Sequence, residues 1–356
     1  MKLYKLVLLT LLCCLPGVVN GTQVNSGVSP ALASLAASMH PGTWAELATN
    51  RINSTLNSDG GVSGVIFGYT EYIKWDPVAH RLYFLGGDHS QSGTPVMKFV
   101  QYEESSNTWS VLPSQDWFTA FATHGYDHAA IDPVHRYFYF RPPGNTTMWR
   151  YNLDNASWKA MPRNNVIQFN SCCVGIEYFP ELRGVIWVSD ENVDDGGVVR
   201  LSDATEQWDR LGKAAAYPMG RYHNFAEYNP VRKVVVFGGG EGGSATRQIW
   251  KLDTKGTVTR LNKAPIDLGI QNAIFTVDPA GGDYLVLTRT QEFYVYNVVS
   301  DTWSLKTRGS SVPIWTTAYQ NAIHGVVAGP ISTYGVNVFV TCDGPDNCRV
   351  NLYKHS

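Results

Sequence analysis

The chain predicts an all-β protein: a six-bladed β-propeller of four-stranded antiparallel blades, its ring closed by an N-terminal strand that completes the last blade. Three observations carry this reading. A proline-centred motif recurs six times at a spacing near fifty residues, on Pro77, Pro133, Pro180, Pro230, Pro279 and Pro330. A tryptophan on a short amphipathic segment follows four of the copies, at Trp109, Trp158, Trp208 and Trp303. The sixth copy runs out at "CRVNLYKHS" one strand short, while "GTWAELAT" (42–49) stands as an orphan before the first. A period of this length marks a repeat architecture, in which each unit buries its apolar faces against its neighbours.

Taken from the start, "MKLYKLVLLTLLCCLPGVVNGTQ" places two lysines before an apolar run and then small residues. The run is too short to span a bilayer and suits a signal peptide over residues 1–21, which implies a secreted, extracellular protein. No later stretch is apolar enough to cross a membrane. The remaining residues, 22–356, are read as one propeller domain, expected to be monomeric. Blades are expected near 62–113, 117–162, 166–212, 216–262, 265–307 and 312–355, the last joined by 42–49.

Within a copy, an inner strand runs into Asp-Pro or Asn-Pro, as in "EYIKWDP" and "AEYNP". Proline fixes φ for the turn, and the preceding Asp or Asn can cap it through its side chain. The second strands (82–85, 185–188, 234–237) are apolar without alternation, as strands buried on both faces must be. A third strand and the tryptophan strand follow, with "GTVTRL" standing in for the latter in one copy. A four-stranded sheet with two apolar faces has to be sandwiched, and radial packing achieves that for every blade.

Composition narrows the function. The net charge of −2, with lysines and arginines scattered, leaves no electrostatic footprint for nucleic acid. Abundant Trp and Tyr beside sparse charge fit β-structure and carbohydrate-facing surfaces. Asn53, Asn145 and Asn155 lie in glycosylation sequons.

The motifs "VFGGG" (236–240) and "FLGGDH" (84–89), each with a downstream strand and Trp as in "VYNVVSDTWSLK", resemble the kelch-like superfamily of propellers. The resemblance spans nearly the whole chain after the signal segment and implies the propeller fold. The diglycine is replaced by Arg141-Pro142, Ser189-Asp190, Thr288-Arg289 and Thr341-Cys342 in the other copies, and the fold hosts many functions.

In a propeller the starts of the inner strands and the loops joining second to third strands share one face. Alignment on the prolines brings His124, Ser171, Arg221, Ile270 and Asn321 to equivalent positions, with Tyr126, Cys173, His223, Asn272 and Ile323 two residues on. The loops add His89, Arg141 and Arg289. Two stretches stand out, "THGYDH" (123–128) and "GRYHN" (220–224), which together supply Arg221, Tyr222, His223, His124, Tyr126 and His128. β-Elimination from a uronate needs such groups: a cation on the carboxylate, a base for the C5 proton and an acid for the departing glycosidic oxygen. Arg221 suits the first role through its bidentate fork, His124 or His128 the second, and Tyr222 or Tyr126 the third. His89, Arg141, His223, Asn272, Arg289 and Asn321 are expected to bind substrate. The chemistry is similar to that of propeller-fold polysaccharide lyases such as ulvan lyases, which implies an acidic polysaccharide or other glycan as partner. The alternatives are a non-catalytic propeller binding a glycan or a protein, and a sialidase-like hydrolase using Arg141, Arg221 and Arg289 with Tyr222 and Glu241.

No cofactor is required by this reading. The acidic loop 189–197, with Asp190, Glu191, Asp194 and Asp195, offers hard oxygen donors for a structural Ca²⁺ but not the spacing of a defined calcium loop. His89, His124, His128 and His223 lack a zinc-like spacing. Once the signal segment is removed, four cysteines remain. Cys172 and Cys173 fall in the third blade and Cys342 and Cys348 in the sixth, opposite in a six-blade ring and beyond disulfide reach. Cys342 is therefore expected to pair with Cys348, leaving Cys172 and Cys173 as thiols or as a vicinal disulfide.

Overall fold

The computed structural model describes residues 30–61, 63–88, 96–121, 124–167, 173–189, 197–213, 217–241, 245–270, 272–314 and 326–356, apart from the side chains of 96, 119–121, 213, 221 and 310. Residues 1–21, expected as a signal peptide, the acidic loop 190–196, His89, Asn321 and Cys172 lie outside the described residues.

Among the described residues, twenty-four strands form six four-stranded antiparallel sheets in a ring, a six-bladed β-propeller. After a short helix α1 (Ala31–Ser38) comes β1 (Thr43–Leu47). The first blade is β2 (Lys74–Asp76), β3 (Arg81–Asp88), β4 (Val96–Glu103) and β5 (Thr108–Val111). The second is β6 (Ala129–Asp132), β7 (Tyr137–Phe140), β8 (Trp149–Asn152) and β9 (Ser157–Ala160). The third is β10 (Gly175–Phe179), β11 (Gly184–Ser189), β12 (Gly197–Ser202) and β13 (Trp208–Lys213). The fourth is β14 (Arg221–Asn229), β15 (Val234–Glu241), β16 (Ile249–Leu252) and β17 (Val258–Arg260). The fifth is β18 (Ala273–Val277), β19 (Tyr284–Thr288), β20 (Glu292–Asn297) and β21 (Thr302–Arg308). The sixth is β22 (Val326–Ile331), β23 (Val336–Cys342) and β24 (Cys348–Lys354), with β1 as its outer strand.

The ring closes as the orphan segment predicts. β1 pairs antiparallel with β24, from Thr43 opposite Lys354 to Leu47 opposite Val350. Trp44 fastens this seam, its ring centroid 4.6 Å from Tyr353 and 5.0 Å from Phe339. The chain then crosses to the first blade, where Trp109 donates its backbone N–H to Asn50 and its indole N–H to Thr49. The first and last blades are thus stitched at the outer rim.

The turns follow the proline logic in physical detail. The Oδ1 of Asp76, Asp132, Asn229 and Asp278 each accepts a backbone N–H from the residue two positions on. The second strands are buried along 82–85, 185–188 and 234–237, as their unbroken apolar runs require. The sixth copy departs from the pattern: Pro330 lies inside β22 and the turn comes after Ile331. Gly329 explains the shift, because a Cβ there would stand 2.0 Å from the Ile73 carbonyl oxygen of the first blade. Close approach across the ring seam takes precedence over the turn.

Cys342 and Cys348 are joined, pinning the hairpin between β23 and β24. Asn53 braces that hairpin, donating its amide to Asp346 and accepting the Cys348 N–H. One sequon is therefore used by the fold, whereas Asn155 is exposed on a turn between β8 and β9. Cys173 is also disulfide-bonded, and with Cys342 and Cys348 joined to each other its partner lies outside the described residues. No helix among the described residues is long and apolar enough to cross a membrane.

Candidate functional site at the channel mouth

The inner strands β2, β6, β10, β14, β18 and β22 neighbour one another around a central channel. At the end where these strands begin, the chain repeatedly enters through a left-handed residue. Tyr69, Tyr126, Tyr222 and His223 have φ of 49°, 48°, 49° and 54°, and Gly269 serves the fifth blade at 103°. For bulky aromatic residues this conformation costs energy and clusters where a side chain must be aimed. In the fourth blade it accompanies a bulge: β14 pairs Arg221 with Glu241 and Asn224 with Gly239, leaving Tyr222 and His223 unpaired. Tyr222 points out and is 39% exposed, while His223 turns in and is buried.

The result is a ring of polar aromatics from three blades. Tyr69 lies 4.5 Å from His124 and 5.6 Å from His223, ring centre to ring centre. Tyr126 lies 5.4 Å from His124, 5.1 Å from His128 and 5.7 Å from His223, stacked on the last. Cys173 and Ile270 pack against Tyr126 from the third and fifth blades. Of the residues expected at the site, His124, Tyr126, His128 and His223 meet here. Tyr69 was not anticipated from the sequence.

The imidazoles differ. His128 is fully buried, and its Nε2 accepts the Val174 N–H at 3.1 Å with the Arg141 guanidinium at 3.3 Å. Burial first, then the Arg141 charge, pushes its pKa well below the ordinary histidine value. Burial also lowers His223 to about 4, even though its Nδ1 lies 3.4 Å from a Glu241 carboxylate. Glu241 is half exposed, so water screens it and desolvation wins. Both rings are neutral at neutral pH.

The remaining expected residues divide. Arg141 is fully buried, lying over Trp187 at 4.6 Å and donating to the Asn145 carbonyl. Asn272 and Arg289 line another pocket of 200 Å³ with Arg247 and Asp267. From the fifth blade it is Ile270 that packs with Tyr126 and Cys173. Arg221 begins β14 at the mouth, and its side chain is outside the described residues. Of the three arginines of a sialidase-like grip, Arg141 is sealed in and Arg289 lines the pocket with Asn272.

Deeper in the channel sits a buried charge cluster that the sequence reading passed over. Lys74 pairs with Glu177 at 2.7 Å, and Glu71, Asp127 and Glu227 surround them. Asp127 ties three blades together, accepting the Ala226 N–H on its carboxylate and the Ile176 N–H on its carbonyl. Burial raises Asp127 to about 8 and holds Glu71 and Glu227 well above the carboxylate range. A signal was present: Lys74, Glu177 and Glu227 each stand three residues before a motif proline, as inner-strand charges facing the axis.

Among the described residues, one group of His, Cys, Asp or Glu brings three donor atoms within 4.8 Å of one another, Asp132, His135 and Asp203. It lies at the proline-turn end, and Asp132 and His135 already hydrogen-bond each other.

No family model matches the chain, and no curated protein matches it significantly. Solved structures do. A structural-genomics protein of unknown function from Bacteroides thetaiotaomicron superposes with a TM-score of 0.51 at 10% identity, over 87% of this chain and 75% of its own. A fungal alcohol oxidase of the AA5 family, solved in complex with copper, gives 0.52 at 9% identity over 88% and 76%. A chain of the mitotic checkpoint complex gives 0.52 at 10% identity over 99% and 100%. At such identity these similarities establish a shared propeller fold and nothing finer.

Proposed function

We propose that this is a secreted, kelch-like carbohydrate-active propeller that cleaves a uronate-containing polysaccharide by β-elimination at the channel mouth. The observation that carries the reading is the convergence of His124, His223, Tyr69 and Tyr126 from three blades. A base must be unprotonated to take the C5 proton, and burial keeps His223 in that form. His124, in ring contact with Tyr69 and Tyr126, is the other candidate base. Tyr126 or the exposed Tyr222 protonates the leaving oxygen, and Arg221, beginning the same strand, neutralises the carboxylate. His128, whose Nε2 lone pair is taken by Val174, positions Tyr126. In the test, near-ultraviolet absorbance is followed while the protein acts on uronate polysaccharides. Rising absorbance abolished by His223→Ala and Tyr126→Phe supports elimination. Retention on an immobilised glycan without any rise supports a binding propeller.

The same convergence favours one other reading. Two imidazoles and two phenols form a donor set suited to a transition ion, bound by His124, His223, Tyr69 and Tyr126. Metal analysis of the purified protein decides: a stoichiometric ion lost in His223→Ala supports it, and a metal-free active protein sinks it.

A further inference from the structure

At the far end of the channel from the histidines, the proline turns surround a pocket of 160 Å³. Five motif prolines and the rings of Trp75, Tyr178 and Tyr228 make an apolar collar, and Lys74, Glu177 and Glu227 make the floor. The Lys74 ammonium is taken by Glu177. Glu227 keeps partial exposure toward the pocket, whereas Glu71 behind it is buried with one oxygen, Oε2, lacking any hydrogen-bond partner. With Asp127, four carboxylates thus share one ammonium.

We propose that this pocket binds a small organic monocation, an alkylammonium or alkylguanidinium ion whose charge rests on Glu227 and whose apolar part fills the proline collar. A cavity of about 150 Å³ accepts a molecule the size of benzene, and aromatic walls favour a cation over a neutral guest. A bare divalent ion fits less well. Calcium needs about six to eight oxygens at close range, and these carboxylates do not bring three donor atoms within 4.8 Å of one another.

Binding is coupled to protons. The groups facing Glu227 are Lys74, Glu177 and Asp127, with Glu71 behind and the Tyr284 hydroxyl donating to the Glu227 carbonyl; Tyr228 at the rim donates to Glu181. Burial and mutual repulsion favour the protonated forms of Glu71, Asp127 and Glu227. An entering cation favours the ionised carboxylate and expels a proton, so affinity rises with pH.

Isothermal titration of the whole protein with butylammonium, butylguanidinium and n-butanol at pH 6.5 and 8 tests this. The expected result is saturable binding of the cations and not the alcohol, about tenfold tighter at the higher pH, with proton release seen as a buffer-dependent heat. Glu227→Gln, its fold checked by circular dichroism, should weaken binding at least tenfold, while His223→Ala at the opposite end leaves it unchanged. No saturation by either cation at millimolar concentration, equal binding of butanol, or an affinity indifferent to pH would overturn the proposal. The pH comparison needs no variant, so it holds even if Glu227→Gln fails to fold. Failure here leaves the elimination reading at the other end of the channel untouched.

Discussion

Replacing Lys74 by methionine keeps roughly the same side-chain length and deletes the ammonium shared by the described carboxylates of the channel cluster. The Lys74 and Glu177 side chains are 7% and 8% exposed and 2.7 Å apart, so removing one partner leaves a buried carboxylate that costs about 3–5 kcal/mol if it stays charged. Protonation offers an escape, because each unit of pKa elevation is about 1.4 kcal/mol of differential interaction. Without the Lys74 charge, which now holds them down, Glu71, Asp127 and Glu227 rise further above the ordinary carboxylate range. A carboxyl whose folded pKa is raised favours folding below its unfolded pKa and loses that contribution as pH climbs through the folded value. The Lys74→Met penalty should therefore be small at pH 5.5 and full at pH 8. For a domain of roughly 330 residues, 3–5 kcal/mol corresponds to about 4–7 °C in Tm. Melts followed by circular dichroism at a fixed scan rate supply the measurement. Lys74→Met/Glu177→Leu, which removes the orphaned charge, should recover most of the loss. A single variant melting within a degree of the parent at pH 8, or losing as much at pH 5.5 as at pH 8, would refute the reasoning.

The unaltered protein should itself lose stability between pH 6.5 and 8, because Asp127 sits at about 8 and Glu71 and Glu227 are also raised; denaturant melts across that range check it. Below pH 6.5 the sign reverses for His223, lowered to about 4: the unfolded chain takes up the proton first, so this histidine's contribution fades as pH falls toward 4. Gly329→Ala sets a Cβ 2.0 Å from the Ile73 carbonyl oxygen, and the forced shift at the ring seam should cost about 1–3 kcal/mol in a chemical denaturation curve. Trp44→Ala strips the closing strand of its ring contacts with Phe293, Phe339 and Tyr353. The side chain is only half-buried, so a loss of about 2–3 kcal/mol is expected, below the full core value, with hydrogen exchange rising first along β1 and β24.

The architecture was legible because its signals are local and repeated. An Asp-Pro or Asn-Pro turn capped by its own side chain forms wherever it occurs, and an unbroken apolar strand has to be covered on both faces. Pro330 misled because Gly329 and the approach of Ile73 belong to the ring seam, which no single repeat encodes. The mouth was legible in part. His124, Tyr126 and His223 lie in quotable motifs, but Tyr69 precedes the first inner strand in a stretch with no repeat marking. Ile270, entered through Gly269 at φ 103°, packs against Tyr126 in the fifth blade, a contact between blades that no single repeat encodes. The channel charges were overlooked for another reason: a lysine or glutamate in a short strand usually means an exposed edge. Only the ring brings Lys74, Glu177 and Glu227 to a common axis.

The central claim is elimination at the mouth, and the measurement that tests it most directly is the near-ultraviolet absorbance of uronate polysaccharides incubated with the purified protein. The account expects absorbance to rise on one of them, and to stay flat with His223→Ala or Tyr126→Phe proteins that melt like the parent. Flat traces for the unaltered protein on every polysaccharide, or an unchanged rise in both variants, would contradict it.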